Sequence, residues 1–194
     1  MPRRPSLHRI GQSAGVLSIA LLLALGSALF APVPALRGQQ KVDALSDAEV
    51  EKLRDVNREP ADRVMVFVGF LDSRTDRIRD ITAKPRRPGR EEDIHDLMEQ
   101  FVSIADDLQD NLDEYGTRHW DVRKALPKLS KALDKWATTL RSPADDEHYD
   151  VERKLALEAI QDIREDSDQL LVDQKAWFAA HPPAKDAQGS YVPQ

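Results

Sequence analysis

The sequence contains no cysteine, few aromatic residues and only 8 glycines among its 194 residues. The absence of cysteine excludes disulfide bonds, a lipid anchor on cysteine, a thiol nucleophile and thiolate-bound metal. With 32% charged and 41% hydrophobic residues, the composition is more typical of a soluble helical protein than of a β-sandwich. Because aliphatic residues are frequent enough to build a core, we do not expect general disorder.

The first 35 residues have the three successive parts of a signal peptide. Arginines at positions 3, 4 and 9 supply the positive charge, and Ala14–Phe30 is an apolar run without charge. Val33 and Ala35 then place small residues at the −3 and −1 positions of a cleavage site. The sequence therefore predicts an exported protein, periplasmic or secreted, from which residues 1–35 are removed.

The alternative for this segment is an uncleaved membrane anchor. The apolar run has 17 residues, which is the lower limit for spanning a bilayer, and Gly26 and Ser27 interrupt it. Its short length and its flanking residues favour cleavage. We expect membrane association only if the segment is retained.

The charge balance disfavours two classes of partner. Removal of residues 1–35 takes away three positive charges and no negative charge, so the formal net charge changes from −6 to −9. An acidic protein repels the phosphates of nucleic acids and of anionic lipids. We therefore predict no binding to nucleic acid.

The pattern of apolar residues predicts an all-α fold, an up-and-down bundle of four long amphipathic helices plus a short N-terminal helix. Residues 36–45 are predicted to be an extended leader, 46–181 the helical domain and 182–194 a disordered polar tail. The short helix opens with Ser46 and Glu49 at capping-box spacing. The long helices are predicted at about 61–82, 91–115, 119–141 and 149–178.

Three local features of these helices lead to specific expectations. Gly116 is placed as the residue just after the second long helix, and Pro127 is expected to kink the third. The apolar run 64–71 fits either a buried strand or a buried helix by periodicity. We favour helix, because an isolated strand would leave its backbone groups unpaired.

The loop between the first two long helices is the sharpest charge contrast on this acidic chain. Four of its residues are cationic: Lys84, Arg86, Arg87 and Arg90. Pro85, Pro88 and Gly89 suffice for a turn, so the cations are not needed for chain reversal. We predict that the loop binds an anionic partner; the alternative is a soluble connector.

Two further patterns are consistent with ligand sites. Glu92 and His95 have the Glu-x-x-His spacing of di-iron bundles, but Ile94 occupies the core stripe and turns Glu92 away from it. Trp120, Trp136 and Trp177 can line an aromatic pocket. Packing explains the last two tryptophans, which lie on core stripes, so Trp120 is the better surface candidate.

No nucleophile, base and orienting residue stand in a catalytic motif, and the sequence has no glycine-rich phosphate loop. We predict a non-enzymatic protein without a cofactor that acts by protein–protein interaction, with an unknown protein partner or with a second copy of itself. The alternatives are a metal- or small-ligand-binding bundle of the cell envelope, and an envelope protein anchored by its N-terminal helix.

The signal-peptide interpretation is tested by the mature N-terminus. We expect mass spectrometry of the native protein to find a chain that begins at or near Leu36, because cleavage follows the small residues at 33 and 35. A full-length species in the membrane fraction would instead show that the segment is an anchor.

Overall fold

The computed structural model describes residues 44–182, which form five helices and no strand. They are α1 (Asp47–Asp55), α2 (Pro60–Thr82), α3 (Arg90–Thr117), α4 (Leu126–Leu140) and α5 (Asp150–Ala180). The predicted all-α bundle is confirmed, and the run 64–71 is helical. The predicted signal peptide, the leader up to residue 43 and the tail from residue 183 lie outside the described residues.

The four long helices alternate in direction along the chain, and their contacts define a ring. α2 packs on α3, α3 on α5, α5 on α4, and α4 on α2. The two hairpins, α2–α3 and α4–α5, are antiparallel, whereas the contacts between hairpins join parallel helices. The backbones of α3 and α4 do not approach each other, so the connection between them crosses the end of the bundle.

The core is apolar and is centred on aromatic contacts between the hairpins. Phe101 of α3 and Trp136 of α4 are fully buried, with ring centroids 5.7 Å apart and nearly perpendicular planes. The Trp136 indole Nε1 donates a hydrogen bond of 2.9 Å to Asp72 Oδ1, which also accepts from Lys135 Nζ. This polar partner allows a buried tryptophan to join α4 to α2. In residues 44–182, no helix is long and apolar enough to cross a bilayer.

Helix α1 is fixed to the bundle by two arginines of α2. The predicted capping box is present, with the Ser46 amide donating to Glu49 Oε2 at 2.9 Å. Buried Arg74 pairs with Glu49 and donates to the Ala44 carbonyl at 2.6 Å. At the other end of α1, Arg63 Nη1 donates to the Leu53 carbonyl at 2.8 Å. Guanidinium groups thus satisfy one partly buried backbone carbonyl before the start of this short helix and another near its end.

The end of α3 differs from the prediction at Gly116. The helix continues through Gly116 to Thr117, and His119 adopts the left-handed conformation with φ of 54°. The His119 amide donates to the Gly116 carbonyl and the Trp120 amide to the Tyr115 carbonyl, at 3.2 and 2.9 Å. This is a Schellman motif, and its hydrophobic contact is the Tyr115–Trp120 ring pair at 5.8 Å.

Gly116 has a different role from the predicted one. A Cβ at this position would lie 3.2 Å from the Leu170 side chain of α5, so glycine allows close approach of the two helices. The predicted kink at Pro127 was also wrong. α4 begins at Leu126, and Pro127 lies in its first turn, where the missing amide costs nothing.

Residues 119–125, predicted as the start of the third long helix, belong instead to the crossing loop 118–125. The buried side chain of Gln174 on α5 holds this loop by accepting from the Val122 amide at 3.1 Å and donating to the Trp120 carbonyl at 2.7 Å. Val122, which fits the apolar spacing of the helix predicted at 119–141, is buried in this loop without being helical. The amphipathic pattern therefore identified the buried residues correctly but not the backbone conformation.

We expect Phe101→Ala to lower the free energy of unfolding by about 3–5 kcal/mol, because it leaves a cavity beside Trp136 in a fully buried site. Denaturant unfolding measures the change. Leu155→Ala is the control, since that side chain is 45% exposed and should change stability by less than about 1 kcal/mol. Equal effects of the two substitutions would contradict the assigned core.

The ion pair that fixes α1 predicts a pH-dependent stability difference. Hydrogen bonding from Arg74 lowers the pKa of Glu49 from 4.5 to about 2. The stabilisation by Glu49 is therefore fully present above pH 4.5 and is lost as the pH falls towards 2. We expect Glu49→Gln to cost about 1–3 kcal/mol at pH 7, and parent and variant to converge at low pH.

Urea unfolding of both proteins at several pH values, with amide exchange of α1, measures this difference. Glu51→Gln is the matched control, because Glu51 lies on the same helix and, among residues 44–182, pairs only with the exposed Arg54. A cost that is independent of pH between 5 and 2 would show that the Glu49 carboxylate is not the source of the stabilisation.

Candidate functional site

The basic loop comprises residues 83–89 and the first residue of α3, and helix ends on both sides fix its shape. The Ala83 amide donates to the Arg79 carbonyl at 2.9 Å, and Lys84 continues the turn. Gly89 precedes α3 with φ of 77°, a left-handed conformation that favours glycine. Arg90 reaches back across the loop and donates to the Thr82 carbonyl at 3.2 Å. The loop is thus closed by contacts of its own ends.

Two of the predicted partner-binding residues have acidic neighbours within the chain. Arg86 lies 2.9 Å from Glu91 and 3.7 Å from Asp146, and Arg87 pairs with Asp93. The side chains of Arg86 and Arg87 remain 70% and 59% exposed in these pairs. Exposed pairs of this kind contribute about 0–1 kcal/mol each, so an external anion can compete for both cations.

The loop 141–149 between α4 and α5 lies beside the basic loop at the same end of the bundle. Its Asp146 forms an ion pair with Arg86 at 3.7 Å and lies 2.6 Å from His148 Nδ1. This contact raises the pKa of His148 and lowers the pKa of Asp146. Tyr149 closes the loop by donating to the Ala144 carbonyl at 2.6 Å. An acidic loop therefore flanks the basic loop on one side.

On the other side of the basic loop lies a cavity of about 310 Å³, between the end of α2 and the start of α3. Four cationic side chains line it: Arg77, Lys84, Arg87 and Arg90. Its other walls are Asp80, Ile81 and Pro85. Three of the four predicted loop residues therefore face a common space, whereas Arg86 does not line it.

Arg77 is the residue of this group that the sequence reasoning missed. It lies on α2 four residues before Ile81, so these two residues share one face of the helix, and Lys84 follows shortly after the end of α2. That spacing was a usable signal. The predicted basic loop, however, began at Lys84. Arg79, which lies between Arg77 and the loop, pairs with Asp76 at 3.1 Å.

The two weak metal candidates do not lie in one ligand group. Glu92 is exposed, whereas His95 groups with Asp96 and Glu99, with ligand atoms within 4.8 Å of one another. His95 Nε2 also lies 3.4 Å from Glu152 on α5. Asp96 and Glu99 are exposed, so this group lies on the bundle surface and not in the interior, where di-iron ligands belong.

The tryptophans have three different environments. Trp136 is buried as predicted, whereas Trp120 is only partly buried and packs against the core. Trp177 is also partly buried and lies between the rings of His119 and His181, at centroid distances of 4.3 and 4.6 Å. These stacked rings cover one another at the end of the bundle opposite the basic loop. They form a cap on the crossing loop, not an open aromatic pocket.

The chemistry that the basic end of the bundle supports is binding of negative charge. The planar guanidinium group of arginine can donate two parallel hydrogen bonds to the oxygens of a carboxylate or phosphate, and the lysine ammonium group adds a compact positive charge. Comparison with protein-family models, with curated proteins and with solved structures finds no match for this chain.

Proposed function

We propose that this protein is an exported, non-enzymatic binding protein whose basic loop docks an acidic surface of a protein partner. The main support for the proposal is the concentration of cationic side chains at one end of the bundle, in a protein whose net charge is negative. Lys84, Arg86, Arg87 and Arg90 stand on a loop whose ends are tied to α2 and α3. A fixed loop loses little conformational entropy when a partner binds.

A second copy of the chain offers one such acidic surface. Glu158, Asp162 and Glu165 are exposed at helical spacing along α5 and form an acidic stripe on the side of the bundle. The basic loop is at the end of the bundle, so a contact between loop and stripe joins different surfaces of two molecules. Where such a contact is not repeated in the opposite sense between the same two molecules, it is heterologous and does not close as a symmetric dimer does.

Electrostatic docking of this kind has a defined dependence on salt. Each exposed ion pair contributes about 0–1 kcal/mol, and the screening length shortens from about 10 Å at 0.1 M salt to 3 Å at 1 M. Several pairs together hold a contact at low salt and lose it at high salt. The proposal therefore requires association that weakens steeply as salt is added.

The test is the variant Arg86→Gln, Arg87→Gln, Arg90→Gln compared with the parent. We expect low-salt sedimentation to show weaker self-association for the variant, and crosslinking in the envelope fraction to lose acidic partners. Lys128→Gln, Lys131→Gln, Lys175→Gln is the matched control, because these exposed lysines remove the same charge from α4 and α5. The control should retain the parent's association.

Equal loss of association in both triple variants would mean that net charge, and not the loop, controls the contact. Unchanged association and an unchanged partner list in the loop variant would leave the loop as a soluble connector. Either result contradicts the proposal.

A further inference from the structure

The cavity beside the basic loop has an excess of positive charge that the folded chain does not neutralise. Its lining carries four cations and one carboxylate, that of Asp80. Arg77 and Lys84 form no ion pair with any side chain of residues 44–182. Arg87 is the only one of the four cations that pairs with a carboxylate there, and its partner Asp93 lies outside the lining.

The cations differ in how firmly they are held. Arg90 is partly buried and donates to the Thr82 carbonyl at 3.2 Å, which uses one nitrogen of its guanidinium group. Arg77 projects from the last turns of α2, a rigid element, and is exposed. A cavity with cations on a helix, a loop and a second helix surrounds a ligand from several sides. A flat basic surface does not provide this arrangement.

The rest of the lining indicates the size and polarity of the ligand. Ile81 and Pro85 provide an apolar wall beside the cations. A volume of about 310 Å³ is at the lower end of the range of about 300–1,000 Å³ for small-molecule sites. The ligand therefore has a compact anionic group and a short aliphatic part, and is much smaller than a protein surface.

The excess positive charge of the cavity lining favours an anion with more than one negative charge. A carboxylate offers one negative charge, whereas a phosphate monoester carries about −1.5 to −2 at pH 7 and three acceptor oxygens. The three phosphate oxygens can accept hydrogen bonds from several of the four cations at once. A carboxylate has only two oxygens and can accept from fewer of them. We propose that this cavity binds the phosphate monoester group of a small organic molecule, with Arg77 and Lys84 as its principal ligands.

A neighbouring cavity helps to define the limits of the site. It also has a volume of about 310 Å³ and shares Arg77 and Ile81, but its lining includes the carboxylates of Asp93 and Asp96. These acidic groups repel a second anion. The phosphate site is therefore confined to the side of Arg77 that faces Lys84.

This inference deepens the proposed function, because Lys84, Arg87 and Arg90 belong both to the docking loop and to the cavity lining. Two residues distinguish docking by the loop from phosphate binding in the cavity. Arg77 lines the cavity and is not part of the loop, whereas Arg86 is on the loop and does not line the cavity. Arg77→Gln therefore tests the cavity, and Arg86→Gln tests the loop.

The experiment titrates the purified protein with glycerol 3-phosphate and, separately, with inorganic phosphate at constant ionic strength. Calorimetry and NMR chemical-shift changes measure the binding. We expect saturable binding that Arg77→Gln weakens by about tenfold, the usual effect of losing one charge-assisted hydrogen bond. Arg86→Gln should leave phosphate binding unchanged. Asp80→Asn should strengthen it, because it removes the one carboxylate of the lining.

The source of the phosphate group is tested separately. Phosphatidic acid vesicles present the same monoester on a lipid headgroup, and neutral vesicles are their control. Binding to either source that depends on Arg77 supports the site, and comparison of the two identifies the natural setting of the group. Acetate at the same ionic strength should bind more weakly than phosphate.

Three results would overturn the inference. They are the absence of saturable phosphate binding, equal weakening by Arg77→Gln and Arg86→Gln, and acetate binding as tight as phosphate binding. None of them bears on the docking proposal, which is measured by salt-dependent association. Conversely, loss of self-association in Arg86→Gln with normal phosphate binding supports docking by the loop as a separate property.

Discussion

The crossing of residues 118–125 over one end of the bundle determines which helices are neighbours. Because this connection runs across the bundle, α3 packs beside α5 and not beside α4. The buried Gln174 amide fixes the crossing by bonding to the Trp120 carbonyl and the Val122 amide, which would otherwise be unpaired next to the core. The two hairpin loops then meet at the opposite end, where Arg86 reaches Asp146.

The same chain uses its arginines in two physically different ways. Arg63 and Arg74 are committed to the fold, since each donates to a backbone carbonyl and to a polar side chain, and together they hold α1. Removing either would leave polar groups unsatisfied near the core. Arg77 and Lys84 have no such partners among the described residues, so the fold does not account for their positions.

The sequence predicted the helices that depend on local apolar periodicity. It did not predict the backbone conformation of segments that long-range contacts determine. Helices α2, α3 and α5 follow from apolar spacing, and the Ser46–Glu49 box marked the start of α1. The crossing loop was predicted as helix because Val122 fits the stripe of α4, and only Gln174, 52 residues away, explains its irregular backbone. The cavity was only partly predictable, since Arg77 joins the loop cations through the packing of α2 against α3.

The electrostatics of the cavity beside the basic loop support the proposed phosphate site. Like charges gathered around a small volume raise the free energy of the folded state, and neighbouring carboxylates usually offset this cost. Among residues 44–182, Asp93 offsets Arg87 alone, and Asp80 is the only carboxylate in the lining. A bound dianion would remove the remaining repulsion and add charge-assisted hydrogen bonds in the same step. On this proposal, ligand binding and stability are linked at this end of the bundle, because an anion that binds only the folded cavity also stabilises the helices that form it.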